Sequence, residues 1–410
     1  MKFHYDLFIE ILCRLPIQTL LRFRCLSKTC CSSIDSPDFI NLHLNRSIKT
    51  STNRSLIVDE LKTEGSIFVV DLDLSDRCPV ELHRPHKSFT DSVEVVYNNY
   101  TGVRIVKPSK FSTYVFGSCN GLLAMYNRRG MCLWNPSTKK HQNLPQFWSH
   151  DEYNRNDKIL VGFGYDSINN DYKVIKMIQY NSMYLSSNKN DKIRVTVYSL
   201  KGNSSTRIDD LNDYYIRYLR GDSGVAVSGS LHWVVWSQEK RPDDLILAFD
   251  LGNEKFRELP KPQIMKGYFL RVAELGGSLA ISCLHLGTFV EIWVMKEHGI
   301  TESWTKLFRI NYDKQHGISD LYRCDMKPLC FSETGDEVLL DDNYGVYSVL
   351  YDLEQKSAKR VTIFGSPERE SKIPVKISAS ICVRSLVPVN FNSEIAGSAS
   401  ELQGKKRKGT

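Results

Sequence analysis

Two short signatures alternate along residues 48–390, and they limit what this chain can fold into. In the first, a strand ends on an aromatic residue, passes through a polar or Leu/Pro turn and enters a charged stretch. It occurs at Trp134-Asn-Pro-Ser-Thr-Lys-Lys, Tyr198-Ser-Leu-Lys-Gly, Phe249-Asp-Leu-Gly-Asn-Glu-Lys, Trp293-Val-Met-Lys-Glu and Tyr351-Asp-Leu-Glu-Gln-Lys, with a weaker copy at Val70-Asp-Leu-Asp73. The aromatic positions are 44 to 64 residues apart. In the second, a glycine turn launches an apolar strand: Asn120-Gly-Leu-Leu, Ser228-Gly-Ser-Leu-His-Trp, Gly276-Gly-Ser-Leu-Ala and Thr334-Gly-Asp-Glu-Val-Leu-Leu. Glycine suits these turns because it reaches positive φ without a Cβ clash.

Short β-type runs fill the space between the signatures, among them Leu56–Val58, Ile67–Val70, Leu122–Met125, Tyr172–Ile175, Ile193–Val197, Leu231–Val235 and Leu245–Phe249. No long amphipathic helix interrupts them, so the body is expected to be all-β. One four-stranded sheet per repeat, at roughly 50 residues, is the regime of a kelch-like propeller, and the span holds about six such blades. A pair of β-sandwiches is the competing architecture.

Residues 1–47 have a different texture. Leu7, Ile11, Leu12 and Leu15 recur at helical spacing, and Asp6 favours a helix start. Pro16 stops that helix and can begin the next, in which Leu20, Leu21, Phe23 and Leu26 are apolar. Ser27 is placed to cap a third helix ending near Ile34, and Asp35-Ser-Pro-Asp38 is turn chemistry. A unit this small is expected to need a partner, or the rest of the chain, to be well ordered.

Composition narrows the function classes. The formal charge is +7 over 410 residues, and Lys405, Lys406, Arg407 and Lys408 hold four of those charges. The remainder is too even for a nucleic-acid groove. No run is apolar enough for a spanning helix, and Asp6 and Glu10 break any secretory signal. Eleven scattered cysteines without a C-x-x-C indicate free thiols in a reducing compartment, cytosol or nucleus. Residues 391–410 read as a disordered basic tail whose Lys405–Lys408 run is a nuclear-import candidate, with a solvated tail as the plain alternative.

Catalytic motifs are poor. Gly221-Asp-Ser-Gly224 resembles the surroundings of a protease serine, but no histidine stands in a matching context, and a polar turn between two blades explains the letters. Cys78, His83 and His86 fall short of a four-ligand zinc set. Gly162-Phe-Gly164 lacks the third glycine and the helix that a phosphate loop needs, and reads as a strand carrying aromatics into the core. The adjacent pairs Asp209-Asp210, Asp243-Asp244 and Asp341-Asp342 point to opposite faces of a strand. Asn45, Asn53 and Asn203 sit in glycosylation triplets that are idle in a chain that is not exported. No cofactor is expected, and no acid or histidine cluster converges on a propeller axis in the sequence.

Asp6-Leu-Phe-Ile-Glu-Ile-Leu-Cys-Arg-Leu-Pro16, Thr19-Leu-Leu-Arg-Phe-Arg-Cys-Leu-Ser-Lys28 and Ser36-Pro-Asp-Phe39 together resemble an F-box. Phe116-Gly-Ser-Cys-Asn-Gly-Leu-Leu123, Leu133-Trp-Asn-Pro-Ser-Thr138, Gly162-Phe-Gly-Tyr-Asp166 with Asp171-Tyr-Lys-Val174, and Gly229-Ser-Leu-His-Trp233 are similar to the F-box-associated domain of plant F-box proteins. Leu26-Ser-Lys-Thr-Cys30, and Val294-Met-Lys-Glu with Glu302-Ser-Trp-Thr-Lys306, look like the constitutive expresser of pathogenesis-related genes type. The second detail is also found in S-locus F-box proteins. Two positions depart from the pattern: His4-Tyr5 stands where Leu-Pro is usual, and Cys30 where Trp is usual.

The resemblance implies three regions: an F-box at 1–47, a substrate-binding propeller at 48–390 and the tail at 391–410. It implies a non-catalytic subunit of an SCF ubiquitin ligase. Leu7, Ile11, Leu12, Leu15, Pro16, Leu20 and Leu21 would lie in or beside a contact with a Skp-family adaptor, which leads to a cullin and a RING protein. Some of these residues should be core and others interface. Substrate capture would fall to propeller loops, with Asn181–Asp191 and Arg207–Gly221 as candidates. Tyr214, Tyr215, Arg217, Tyr218 and Arg220 in the second are residue types favoured as anchors, with ordinary loop solvation as the competing and preferred account of any one of them. The implied clients are nucleotide-binding leucine-rich-repeat immune receptors or, for an S-locus type, pollen-rejection ribonucleases. A ligase-independent propeller scaffold is the third possibility. The implied compartments are cytoplasm and nucleus, without nucleic-acid binding or membrane insertion.

Overall fold

The computed structural model describes residues 5–60, 67–72, 80–82, 92–97, 104–109, 114–127, 130–144, 157–180, 192–217, 223–237, 244–262, 269–285, 288–311, 326–341, 348–361 and 377–389. Four helices come first: α1 (Tyr5–Leu12), α2 (Ile17–Phe23), α3 (Lys28–Ile34) and α4 (Pro37–Lys49). Pro16 precedes α2 in an extended conformation. The Ser27 hydroxyl accepts the Cys30 N–H at 3.0 Å, and Ser36 accepts that of Phe39 at 3.3 Å, with Pro37 at the first position of α4. The expected cap at Ser27 and helix end at Ile34 are both present.

Among the described residues that follow, most strands fall into six four-stranded antiparallel meanders, two of them joined in one sheet. The first blade joins Ile377–Val383 to Arg54–Glu60, Ile67–Asp71 and Val80–Leu82, so the end of the body closes the ring on its beginning. The second is Tyr114–Cys119, Leu122–Asn127, Gly130–Asn135 and Lys140–Asn143, and the third is Lys158–Asp166, Asp171–Gln179, Ile193–Ser199 and Ser204–Leu211. The fourth is Ser223–Val227, Ser230–Ser237, Asp244–Asp250 and Lys255–Leu259, with Tyr214–Ile216 added on Ser230–Ser237. The fifth is Phe269–Leu275, Ser278–His285, Phe289–Met295 and Trp304–Asn311. The sixth is Lys327–Phe331, Glu337–Asp341, Ser348–Asp352 and Ser357–Val361. A hairpin, Ser92–Tyr97 with Arg104–Ser109, stands outside the blades. The expected propeller of about six blades is the observed architecture.

Both signatures have a fixed place in the blade. The glycine turns join first to second strands, with Gly121, Gly229, Gly277 and Gly335 all at positive φ. The aromatic signature closes third strands. There Asn135, Asp250 and Asp352 each accept two following backbone N–H groups at 2.7–3.2 Å, forming the turn into the fourth strand. Trp134, Tyr198, Phe249 and Tyr351 are buried between blades, each a gain of roughly 1.5–3 kcal/mol over exposure. The fifth blade shifts the pattern. Met295, not Trp293, pairs with Leu279 as Trp134 pairs with Leu123 and Phe249 with Leu231, and Trp293 sits two residues earlier at a bulge.

The third and fourth blades depart from a regular propeller. Lys158–Asp166 pairs in parallel with Ser223–Val227 at Val161↔Ser223 and Gly162↔Gly224, joining the two blades into one nine-stranded sheet. The Trp233 indole lies across this seam and donates to the Val161 carbonyl at 3.1 Å. A Cβ on Gly162 or Gly224 would fall 2.6 Å from that ring. The Ser223-Gly224 half of the protease-like motif is therefore an inner strand, not a turn between blades; Gly221 and Asp222 lie outside the described residues. Gly224→Ala is expected to cost about 1–3 kcal/mol through overpacking. A thermal melt coincident with wild type would refute the seam's tightness.

Candidate functional site

The helical unit divides the seven expected contact residues cleanly. Leu12 and Leu20 are 1% and 0% exposed and form its core with Cys13, Ile17, Ile34 and Phe39. Leu15 and Leu21 are half-buried. Leu7 and Ile11 are 54% and 42% exposed, one helical turn apart on the outer face of α1, and Pro16 is exposed. Tyr5 and Leu26 add further exposed apolar surface. Solvent-facing apolar side chains at i and i+4 on a short helix are what a partner-binding surface needs.

Polar contacts hold this surface in place. The buried His43 of α4 donates from Nε2 to the Leu15 carbonyl at 2.9 Å, fixing the corner before Pro16. Burial holds its pKa below the ordinary histidine range. Glu10 accepts from Arg14 at 2.7 Å and from Arg46 of α4 at 3.4 Å. The sequence reading missed His43 because its partner is a backbone carbonyl 28 positions away. Cys30, where the F-box pattern has Trp, is half-buried.

The two ends of the propeller differ. The glycine turns, the third-to-fourth-strand turns and the helical unit occupy one end. At the other end lie the last residues of the second strands, such as Gln179, Ser237 and His285, and the first residues of the first strands, such as Lys158, Phe269 and Lys327. Tyr214 and Tyr215 lie at this second end on Tyr214–Ile216, whose Ile216 accepts from Lys158 Nζ at 2.9 Å and donates to Gln179 Oε1 at 2.9 Å. Most of the proposed Arg207–Gly221 loop is thus strand, Ser204–Leu211 and Tyr214–Ile216. Tyr214 is half-buried and donates to Glu258 at 2.9 Å. Arg217 is 3% exposed, ion-paired with Asp244 and packed over the Phe269 ring, so its side chain is committed to the fold. Tyr218, Arg220, the Asn181–Asp191 loop, the Cys78/His83/His86 set and Lys405–Lys408 lie outside the described residues.

The axis itself is charged, which the sequence did not disclose. A cavity of about 130 Å³ is walled by inner-strand residues that include Ser223, Arg271, Glu274 and Lys327, with Asp341 behind them. Glu274 accepts the Gly277 N–H at 2.6 Å, and Asp341 accepts that of Ala379 at 3.3 Å. Burial raises the Glu274 carboxyl above its ordinary range. No histidine lines the cavity among the described residues, so Ser223 has no base of the protease kind there. Among the described residues no group of three His, Cys, Asp or Glu side chains is placed to hold a metal, and no helix is long and apolar enough to cross a membrane.

Comparison with known proteins agrees with this geometry. Residues 2–42 match the F-box domain family, and residues 80–386 match the F-box associated beta propeller domain family. The chain is 31% identical to F-box protein CPR1 of Arabidopsis thaliana over 93% of its own length and 88% of that protein's. It is 28% identical to the Arabidopsis F-box/kelch-repeat protein At3g23880 over 82% and 84%. Among solved structures, an oligogalacturonate lyase from Vibrio parahaemolyticus aligns with a TM-score of 0.40 at 8% identity, covering 77% of this chain and 83% of that one, which is too distant to bear on function. With an F-box at its front and that family's propeller behind it, the chain belongs to the F-box proteins that carry an F-box associated β-propeller domain.

Proposed function

We propose that this protein is the substrate-recognition subunit of an SCF-type ubiquitin ligase. The observation that carries the reading is the exposed Leu7/Ile11/Pro16 surface on a helical unit whose own core is already filled by Leu12 and Leu20. That surface serves a Skp-family adaptor and, through it, a cullin and a RING protein. The propeller end remote from the helices, where Tyr214 and Tyr215 lie, takes the substrate. The protein does no bond chemistry: it raises the effective concentration of substrate beside the ubiquitin carrier. The finer assignments rest on the resemblance to the constitutive expresser type. They are intracellular nucleotide-binding leucine-rich-repeat immune receptors as clients, and action in cytoplasm and nucleus.

The test uses exposed residues, so that loss of binding is not loss of fold. Leu7→Asp with Ile11→Asp is expected to reduce capture of a Skp-family adaptor by the full chain more than tenfold while leaving the melting profile unchanged. Equal capture by variant and wild type would overturn the assignment of this surface. A wild-type chain that captures no adaptor would overturn the ligase reading itself.

A further inference from the structure

We propose that residues 384–389, which follow the last strand, form a strap that completes the F-box core and locks the F-box to the propeller as one rigid body. The segment runs on from Val383 without joining a sheet. Neighbouring side chains of the segment enter different clusters. Leu386 turns to the helices and joins the cluster of Leu12, Cys13, Ile17, Leu20, Ile34 and Phe39. Val387 and Val389 join the propeller cluster of Phe116, Leu122 and Leu133, into which Leu44 of α4 also reaches.

Side chains and one backbone pair supply the hydrogen bonds that a sheet would otherwise give. Asn135 is fully buried and donates from Nδ2 to the Ser385 carbonyl at 3.1 Å and the Val387 carbonyl at 2.8 Å, while its Oδ1 caps the third-strand turn. Ser385 Oγ donates to the Asn120 carbonyl at 2.6 Å. A Cβ on Gly121 would lie 2.2 Å from that hydroxyl, so the strap crosses the glycine turn in contact with its backbone. At the other end the Arg384 N–H donates to the Asn53 carbonyl at 2.7 Å, and its guanidinium grips Asp71 through two bonds of 2.6 and 2.9 Å. Asn53 in turn donates to Ser47 of α4 at 2.9 Å. Helices of 7 to 13 residues hold little core of their own. The strap therefore makes the order and orientation of the adaptor surface depend on the far end of the body.

Hydrogen exchange on the full-length protein tests this. Leu386→Asp puts a charge into the helical core. Asn135→Asp keeps the turn-capping oxygen but sets a second oxygen against the two strap carbonyls, a milder lesion. In both, amides of α1–α4 are expected to exchange at least tenfold faster, while those of Asp244–Asp250 and Phe289–Met295 keep wild-type protection. A chain ending at residue 390 is expected to exchange as wild type. Helices that stay protected in both variants, or protection lost equally in both domains, would overturn the strap. So would loosening in the chain ending at 390. The exchange result does not depend on the ligase reading: a wild-type chain that captures no adaptor removes that reading and leaves the strap to be judged on exchange alone.

Discussion

Lys173→Met is expected to destabilise the protein by about 3–5 kcal/mol, the cost of stripping one partner from a buried ion pair. Lys173 lies on the second strand of the third blade, with its side chain 5% exposed. Its ammonium meets Asp166 at 2.9 Å, Glu254 at 2.7 Å and the Leu251 carbonyl at 2.6 Å. Leu251 and Glu254 belong to the turn of the fourth blade, so one cation ties two blades together. Burial works against the charge on Lys173, but the bonds to Glu254 and Asp166 outweigh it and raise its pKa. Burial likewise opposes ionisation of Asp166, and donors from Asn169 and Lys173 overcome that and hold its carboxyl below the ordinary range. Methionine fills the space of the stem but leaves Asp166 charged and dry. Adding Asp166→Asn should recover part of the loss, because a neutral pair removes the uncompensated charge. Denaturant midpoints measure both. A single variant within about 1 kcal/mol of wild type would show that the cluster contributes little.

Lys173 also marks how far the sequence could be read. Asp171-Tyr-Lys-Val174 stood out as a motif, yet the role of the lysine was invisible, because Glu254 and Leu251 lie some 80 positions away. Local chemistry was legible. Positive φ at Gly121 and Gly229 needs glycine, and the Asn135, Asp250 and Asp352 turns need a short acceptor, so these letters recur and disclose the blade. Helical spacing and the Ser27 cap did the same for α1–α3.

What failed was non-local. Arg217 reads in sequence as a loop residue, solvated or an anchor, because nothing near it announces Asp244. Trp293 was placed in the aromatic series because the bulge at Ile292/Trp293 cannot be seen in a single strand. The charged axis arises from Arg271, Glu274, Lys327 and Asp341 on three strands, none of which is unusual alone. In the adaptor surface the apolar set was visible but its division was not. Leu7 and Leu12 read alike until α4 and the strap cover one of them.

Acidification should loosen the joint between the fourth and fifth blades, and the sign follows from a chain of three side chains. The Val225 carbonyl can only accept, so the His232 Nδ1 3.0 Å from it carries the proton. His232 is neutral, and its Nε2 is then a lone pair facing His298 Nε2 at 2.9 Å, which must donate. That leaves His298 Nδ1 to accept from Arg257 at 3.3 Å. A further proton on either ring turns one of these acceptors into a donor and adds positive charge beside Arg257. Burial, reinforced by His298 and Arg257, brings the His232 pKa down to about 4, against an ordinary 6.5. The folded state therefore takes up fewer protons than the unfolded state below pH 6.5. The contribution is complete above 6.5 and is lost progressively as pH falls toward about 4, at about 1.4 kcal/mol per unit and about 3 kcal/mol in all. His232→Gln should be less stable at neutral pH, yet its stability should fall less steeply across that window, by one proton's worth. Urea midpoints taken at half-unit steps between pH 7.5 and 4 measure the difference, and parallel curves for wild type and variant would exclude His232 as the source of the acid sensitivity.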